Sequence, residues 1–277
     1  MDEITLKAPA KLNLCLDITG RRNDGYHLIE TVMTSVDLCD VVTIKRGQDG
    51  EITVGCSDAE IPKNEGNICH KAARLFFETA GIPAIESGAE IYIEKNIPHK
   101  AGLGGGSSDA AAVLRGLNEL YGCPVTTDEL LKIGVKAGAD VPFCVVGGTK
   151  LCRGIGEIIS DCPELKKRTY LIVMPDLGCD TKGAYEKYDQ NPLPAKSRLN
   201  RFFGDFPRYL YNIFEELYQS ENIREIKERL IENGAENACL TGSGAAVFGV
   251  FETREKAERA QKAFSKLFTA VVETVIP

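Results

Sequence analysis

Between positions 98 and 108 the chain reads Pro-His-Lys-Ala-Gly-Leu-Gly-Gly-Gly-Ser-Ser, and a segment with helical periodicity, Ala110 to Tyr121, follows at once. Gly102, Gly104, Gly105 and Gly106 let successive backbone N–H groups turn toward one centre with no Cβ in the way. The helix N-terminus behind them adds partial positive charge. Ala110, Val113, Leu114, Leu117 and Leu120 share one face, so that helix must bury a stripe against a core. A flexible linker would explain the glycines but not the strong helix straight after them. The pattern therefore predicts a loop that holds a phosphate, with Ser107 and Ser108 placed to cap the helix, contact phosphate oxygens or hold Mg²⁺.

Other phosphate loops are excluded by their spacing. The chain has no Gly-Lys dipeptide, so GxxxxGK[ST] is absent, and GxGxxG started at Gly102 ends on Ser107. No HRD or DFG segment marks a protein kinase, and neither Ser107, Ser108 nor Ser243 completes the GxSxG of a hydrolase elbow.

The 277 residues make one large domain or two ordinary ones, with enough chain for a real core. A net charge of −7 disfavours a general nucleic-acid surface, since such surfaces carry a basic excess. The ten cysteines, spread from Cys15 to Cys239, include no CxxC pair, and with three histidines they assemble no zinc site on the usual spacings. They read as reduced thiols. The start, MDEITLKAPAKLNL, is acidic rather than basic-then-apolar, and no apolar run reaches the length of a membrane span, so a cytoplasmic protein with no membrane partner is expected.

Two halves mix strand-like and helix-like periods, with a boundary in the polar stretch Asp161–Lys167. Strands are predicted at Glu51–Cys56, Ile91–Asn96, Tyr170–Pro175, Ala245–Phe251 and Phe268–Ile276. Helices are predicted at Ile68–Ala80, Ala110–Tyr121, Leu130–Lys136, Tyr209–Tyr218, Ile223–Ile231 and Arg254–Leu267, the third opened by a capping box of Thr126 and Glu129. Without a regular βαβ rhythm, this interleaving points to an α+β architecture.

Lys11 lies in a run where Leu12, Leu14 and Leu16 alternate with Lys11, Asn13 and Cys15, as on a strand with one polar face. On spacing alone it is as a surface lysine that it reads best. Asp140, in Ala-Gly-Ala-Asp-Val-Pro-Phe, is a turn or capping residue, or else it orients or deprotonates a hydroxyl while Lys11 stabilises negative charge. Asp24-Gly25-Tyr26-His27 reads as a turn exposing an aromatic and an imidazole, which either pack or grip a nucleobase by stacking and edge hydrogen bonding. Thr241-Gly242-Ser243-Gly244 is a second small-residue loop before an apolar strand, equally explained as a tight turn.

Together, APAKLNL around Lys11, PHKAGLGGGSS and the late LTGSGAAVF resemble the three motifs of the GHMP kinase superfamily. Asp24–His27, the triple glycine 104–106 and GADVPF at 138–143 are similar to the branch that phosphorylates the 2-hydroxyl of 4-diphosphocytidyl-2-C-methyl-D-erythritol, in the non-mevalonate route to isoprenoid precursors. The resemblance implies a two-domain fold, with a ribosomal-protein-like ATP-binding domain over 1–163, a smaller α/β domain over 164–277 and an active site in the cleft between them. It implies Lys11 and Asp140 as the catalytic pair. Pro98, His99, Lys100, Ala101, Gly102, Leu103, Gly104, Gly105, Gly106, Ser107 and Ser108 would bind ATP, with Asn67 near adenine. Asn13, Tyr26, His27, Thr181 and Tyr185 would line the acceptor pocket, Tyr26 and Tyr185 as the faces of a cytosine sandwich. Thr241, Gly242, Ser243 and Gly244 would form the third-motif loop. ATP is the implied donor and Mg²⁺ is expected; the superfamily's separate metal-binding glutamate has no counterpart that can be assigned, and Asp109 near the loop is equally explained by the helix dipole. The implied partner is a small molecule, with no obligate protein partner. The alternatives are a GHMP kinase acting on mevalonate, homoserine or a sugar, and a non-catalytic nucleotide-binding module.

Overall fold

The computed structural model describes residues 2–275 except 177, 179, 195, 196 and 219. Its elements run β1 (Glu3–Arg21), β2 (His27–Arg46), β3 (Ile52–Cys56), α1 (Ile68–Ala80), β4 (Ala89–Glu94), α2 (Gly105–Leu120), α3 (Thr127–Ala137), α4 (Val141–Val146), β5 (Thr149–Gly154) and β6 (Ile158–Ser160). They continue with β7 (Thr169–Met174), α5 (Thr181–Gln190), α6 (Leu199–Asp205), β8 (Tyr211–Asn212), α7 (Ile213–Tyr218), α8 (Glu221–Glu232), β9 (Asn237–Leu240), β10 (Val247–Phe251), α9 (Arg254–Gln261) and β11 (Phe268–Glu273). Two compact units emerge, neither continuous in sequence. The first comprises Met1–Ala10, Leu38–Pro98 and Gly104–Val146, the second Lys11–Asp37, His99–Leu103 and Gly147–Pro277. Strands β1 and β2 are long enough to supply residues to both.

In the first unit β4 pairs in parallel with β3 and antiparallel with the end of β2, from Val41↔Glu94 to Arg46↔Ala89. Its alternation places Ala89, Ile91 and Ile93 in the core and leaves the residues between them exposed. Helix α2 lies on the sheet at Gly116, where a Cβ would stand 2.4 Å from Ile44 Cδ1 and 2.7 Å from Leu6 Cδ1, so glycine permits the approach. Arg46 caps the far end of α2 by donating to the Leu120 carbonyl, and its guanidinium lies 4.5 Å from the Tyr121 ring centre.

The second unit contains an antiparallel sheet ordered β11-β7-β10-β9, with Val247↔Val173 and Ala270↔Ile172 in register. Here too β5 pairs with the first part of β2, and β8 pairs in parallel with β1 through Cys15↔Tyr211 and Leu16↔Asn212. Among the described residues no helix is long and apolar enough to cross a membrane, and the nine described cysteines form no disulfide with one another.

Several predicted boundaries move, each for a local reason. Helix α2 starts at Gly105 rather than Ala110, because glycine and serine carry no apolar period. Strand β4 ends at Glu94 rather than Asn96, since the Asn96 and Ile97 N–H groups donate instead to Asp40 Oδ1, at 2.6 and 2.8 Å. The helix predicted over Tyr209–Tyr218 is confined to Ile213–Tyr218, because Tyr211 and Asn212 pair with β1. Helix α9 stops at Gln261 and tightens into a 3₁₀ turn over Lys262–Phe264. Strand β11 ends at Glu273, and Ile276, the predicted end, lies outside the described residues. The apolar stretch after Asp140 is a short helix, α4.

Candidate active site

In the first unit the glycines open α2. Gly104 occupies the N-cap with φ 69°, in the left-handed region, and has no side chain to turn back onto the first N–H groups of the helix. Those donors therefore remain available for an anion. Ser107 is half-buried in the first turn. Ser108 is buried and donates its hydroxyl to the Pro9 carbonyl at 2.7 Å, tying the helix start to β1. Asp140 is half-buried at the turn leading into α4, where its carbonyl accepts from Cys144 N at 3.1 Å. That turn passes close to the helix start, since a Cβ on Gly138 would lie 4.0 Å from Ser107 Oγ. Asn67 is the N-cap of α1: its side chain accepts from Cys69 N at 2.8 Å and donates to the Pro62 carbonyl at 2.6 Å. Pro98 is half-buried at the end of this unit's second segment.

Behind the glycine turn that opens α2, Lys95 joins two buried acids. Its ammonium donates to Asp40 and, at 2.8 Å, to Asp109 Oδ2, while Asp109 Oδ1 has no hydrogen-bond partner among the described residues. Burial would pull the Lys95 ammonium down, but the two carboxylates outweigh it and hold its pKa above the usual value. Burial pushes the Asp109 carboxyl up to about 7, against the pull of Lys95 and with the push of the Asp40 charge.

In the second unit Lys11 and the third-motif loop meet on Asn13. The Asn13 Oδ1 accepts from Lys11 Nζ at 2.5 Å and from Gly242 N at 3.0 Å, and its amide donates to Thr31 Oγ1 at 2.9 Å. The Asn13 N–H donates to Thr241 Oγ1 at 3.0 Å. Asn212 holds the loop from its other side, donating to the Leu240 and Gly242 carbonyls at 2.9 and 2.8 Å. Lys11 is 4% exposed, so the surface-lysine reading is overturned by packing. Within the glycine segment, His99 and Lys100 are exposed, whereas Ala101 and Leu103 are buried and accept backbone bonds from Ala246 N and Lys11 N. Gly102, φ 75°, presses on the third-motif loop so closely that a Cβ there would stand 2.2 Å from the Thr241 carbonyl oxygen and 2.9 Å from that of Gly244.

Helix α5 presents three residues at four-residue spacing to this unit's other candidates. Thr181 shares a 3.0 Å hydrogen bond with Ser243 Oγ. Tyr185 stacks on His27, with ring centres 4.7 Å apart and planes at 25°, and meets Phe214 edge-on. Asp189 accepts from His27 Nε2 at 2.7 Å and pairs with Arg21 at 3.2 Å. Tyr26 stands at the turn before β2 and is 58% exposed. His27 is thus the ring stacked on Tyr185 here.

Lys11 and Asp140 fall in different units. Residues that escaped the sequence reading are Thr31, Asn212, Lys95, Asp40 and Asp189. Asp189 lay within reach, four positions beyond Tyr185, but α5 buries only Ala184 and Tyr188 and so shows little amphipathic signal.

Residues 67–148 match the family described as GHMP kinases N terminal domain, and residues 204–270 that described as GHMP kinases C terminal. A 4-diphosphocytidyl-2-C-methyl-D-erythritol kinase of Clostridium tetani is 42% identical over 276 residues, covering 96% of this chain and 97% of the relative. One from Alkaliphilus metalliredigens is 39% identical, covering 97% and 94%. A crystal structure of 4-(cytidine 5'-diphospho)-2C-methyl-D-erythritol kinase is similar with a TM-score of 0.78 and 31% identity, covering 97% of this chain and 99% of that one. The homoserine kinase of Cytophaga hutchinsonii has the same fold, with a TM-score of 0.78 at 21% identity.

Proposed function

The chain belongs to the GHMP kinases, among the 4-diphosphocytidyl-2-C-methyl-D-erythritol kinases, and we propose how its residues divide the work of that reaction. It transfers the γ-phosphoryl group of ATP to the 2-hydroxyl of 4-diphosphocytidyl-2-C-methyl-D-erythritol, giving the 2-phosphate and ADP, in isoprenoid precursor biosynthesis. The observation that carries this acceptor is the near full-length 42% identity to a kinase of that name.

As the 2-oxygen bonds to the γ-phosphorus, the bond to the β–γ bridging oxygen breaks and ADP leaves. Asp140 orients the hydroxyl and takes up its proton. The Lys11 ammonium, aimed by Asn13, offsets the charge that builds on the transferred group. The uncapped first turn of α2 holds the phosphates and Asn67 borders the adenine pocket, while Tyr26, His27, Thr181 and Tyr185 line the acceptor pocket. Mg²⁺ would bind through the substrate phosphates and few protein groups, as that ion usually does. Ser107, half-buried in the first turn, would be its protein ligand, since Ser108 is buried. When bound, the ion neutralises charge on the phosphates. The division into 1–163 and 164–277 is supported by the two family matches, which fall on opposite sides of it.

Purified protein with ATP and Mg²⁺ should release ADP on addition of the cytidyl acceptor and not of mevalonate or homoserine; no release with the cytidyl acceptor would overturn the reading. Lys11→Ala and Asp140→Asn should each lower kcat/KM by about 10²-fold or more, the scale of a lost charge stabiliser or proton acceptor. ATP binding, followed by calorimetry, should survive in Asp140→Asn.

A further inference from the structure

We infer that Asn212 is a positioning residue for phosphoryl transfer: it fixes the third-motif loop so that the loop, through Asn13, aims the Lys11 ammonium. The inference rests on the role given to Lys11 above and adds a residue outside all three sequence motifs.

Asn212 is buried, and its amide is used at both ends. Nδ2 donates to the Leu240 carbonyl at 2.9 Å and to the Gly242 carbonyl at 2.8 Å, while Oδ1 accepts from Phe214 N at 3.0 Å. Two carbonyls on one side and an N–H on the other leave a single orientation for this amide. The carbonyls it holds belong to the peptides that join residues 240–241 and 242–243. Between them lies the peptide joining Thr241 to Gly242, whose carbonyl accepts from Gly244 N at 3.0 Å. Pinning its neighbours on both sides fixes the direction of its N–H, which donates to Asn13 Oδ1 at 3.0 Å. The loop comes close enough here for a Cβ on Gly242, at φ 56°, to stand 3.3 Å from Lys11 Nζ.

Asn13 Oδ1 is also the atom that receives Lys11 Nζ, so its place sets where the ammonium stands. Thr31 on the Asn13 amide nitrogen and Gly242 on its oxygen stop that side chain from turning, and Thr241 Oγ1 holds its backbone N–H. The path closes on itself. Asn212 lies in β8, which pairs with β1 at Leu16, on the same strand as Lys11. Strand β1 therefore holds the loop twice, directly through Asn13 and indirectly through β8 and Asn212. Loss of the Asn212 amide opens this ring and leaves two interior carbonyls without their donor, which costs enough to shift the loop toward others. A cation that must meet charge developing on the transferred group is sensitive to such a shift, since 1 Å of misplacement costs about 10²-fold.

A double-mutant cycle in the full chain tests this, with kcat and both KM values measured for the unmodified enzyme, Lys11→Ala, Asn212→Ala and the double variant. Asn212→Ala should lower kcat at least about tenfold and leave KM for ATP within about twofold, the split of a group that acts in the transition state. In the Lys11→Ala background the same change should cost less than about twofold, because the group it aims is gone. A merely structural role for Asn212 would lower kcat by the same factor in both backgrounds, and that result overturns the inference while the reading of Lys11 stands. Full kcat in Asn212→Ala, shown to be folded by circular dichroism, overturns it as well. Should Asn212→Ala not fold, Asn212→Ser, shorter but with one donor, takes its place in the same cycle. Failure of both to fold makes Asn212 a folding residue and sinks the inference. Unchanged kcat in Lys11→Ala sinks the role of Lys11 and the inference together.

Discussion

Gly102 and Asp109 show how single residues near the glycine segment are constrained for opposite reasons. At Gly102 the constraint is space: its φ of 75° and a Thr241 carbonyl oxygen 2.2 Å from any added Cβ leave no room for alanine. Gly102→Ala should displace the third-motif loop that aligns Asn13 and Lys11, lowering kcat/KM by about 10²-fold, the cost of misplacing a reacting group by 1 Å. Steady-state kinetics on a variant shown to be folded by circular dichroism checks this. At Asp109 the constraint is charge. Its carboxyl is raised to about 7 in the folded protein, so between the ordinary carboxylate range and pH 7 the folded state holds a proton that the unfolded chain releases. The stability from this group is full below the unfolded pKa and is lost as pH rises through the folded one. Urea unfolding from pH 4 to 8 should show that downward slope flattened in Asp109→Asn, with the remaining pH dependence intact.

Helix ends carry much of the local information in this chain. The capping box at α3 is complete, with Thr126 Oγ1 accepting from Glu129 N at 3.3 Å and the Glu129 carboxylate accepting from Thr126 N at 2.8 Å. Hydrogen bonds from the Thr126 backbone and hydroxyl hold the Glu129 carboxyl below the usual range. Thr126→Ala should destabilise the protein by about 1 kcal/mol, read from the urea midpoint, without changing KM for ATP. Helix α2 is the deliberate contrast: its glycine N-cap forgoes a side-chain cap and so forgoes that stabilisation, leaving donors for a ligand. Helix α5 works by spacing, since residues 181, 185 and 189 lie one turn apart and so reach Ser243, His27 and Arg21 from a single face.

At the scale of the molecule, a chain that binds ATP only when folded gains stability from it. Saturation at about 100 times Kd should add about 2.7 kcal/mol and raise Tm by several degrees, and a differential scanning experiment with and without Mg-ATP measures it. The glycine segment was legible in one dimension because each of its parts is a local requirement: glycines where backbone must approach backbone, and an amphipathic stripe behind them. The α1 range Ile68–Ala80 and the Thr126–Glu129 cap were likewise readable, since helix periodicity and capping involve residues within a turn or two of each other. The burial of Lys11, the role of Asn13 as a shared acceptor and the conversion of Tyr211–Asn212 into a strand were not. Their partners are far away in sequence, with Asn13 and Gly242 separated by 229 positions. Spacing along a chain encodes which faces are apolar, whereas a hydrogen bond between remote segments exists only once the chain has folded. The sequence alone thus determined the family, the glycine turn ahead of an amphipathic helix and the character of most elements. Tertiary structure alone decided which polar atoms meet, and with them the aim of Lys11.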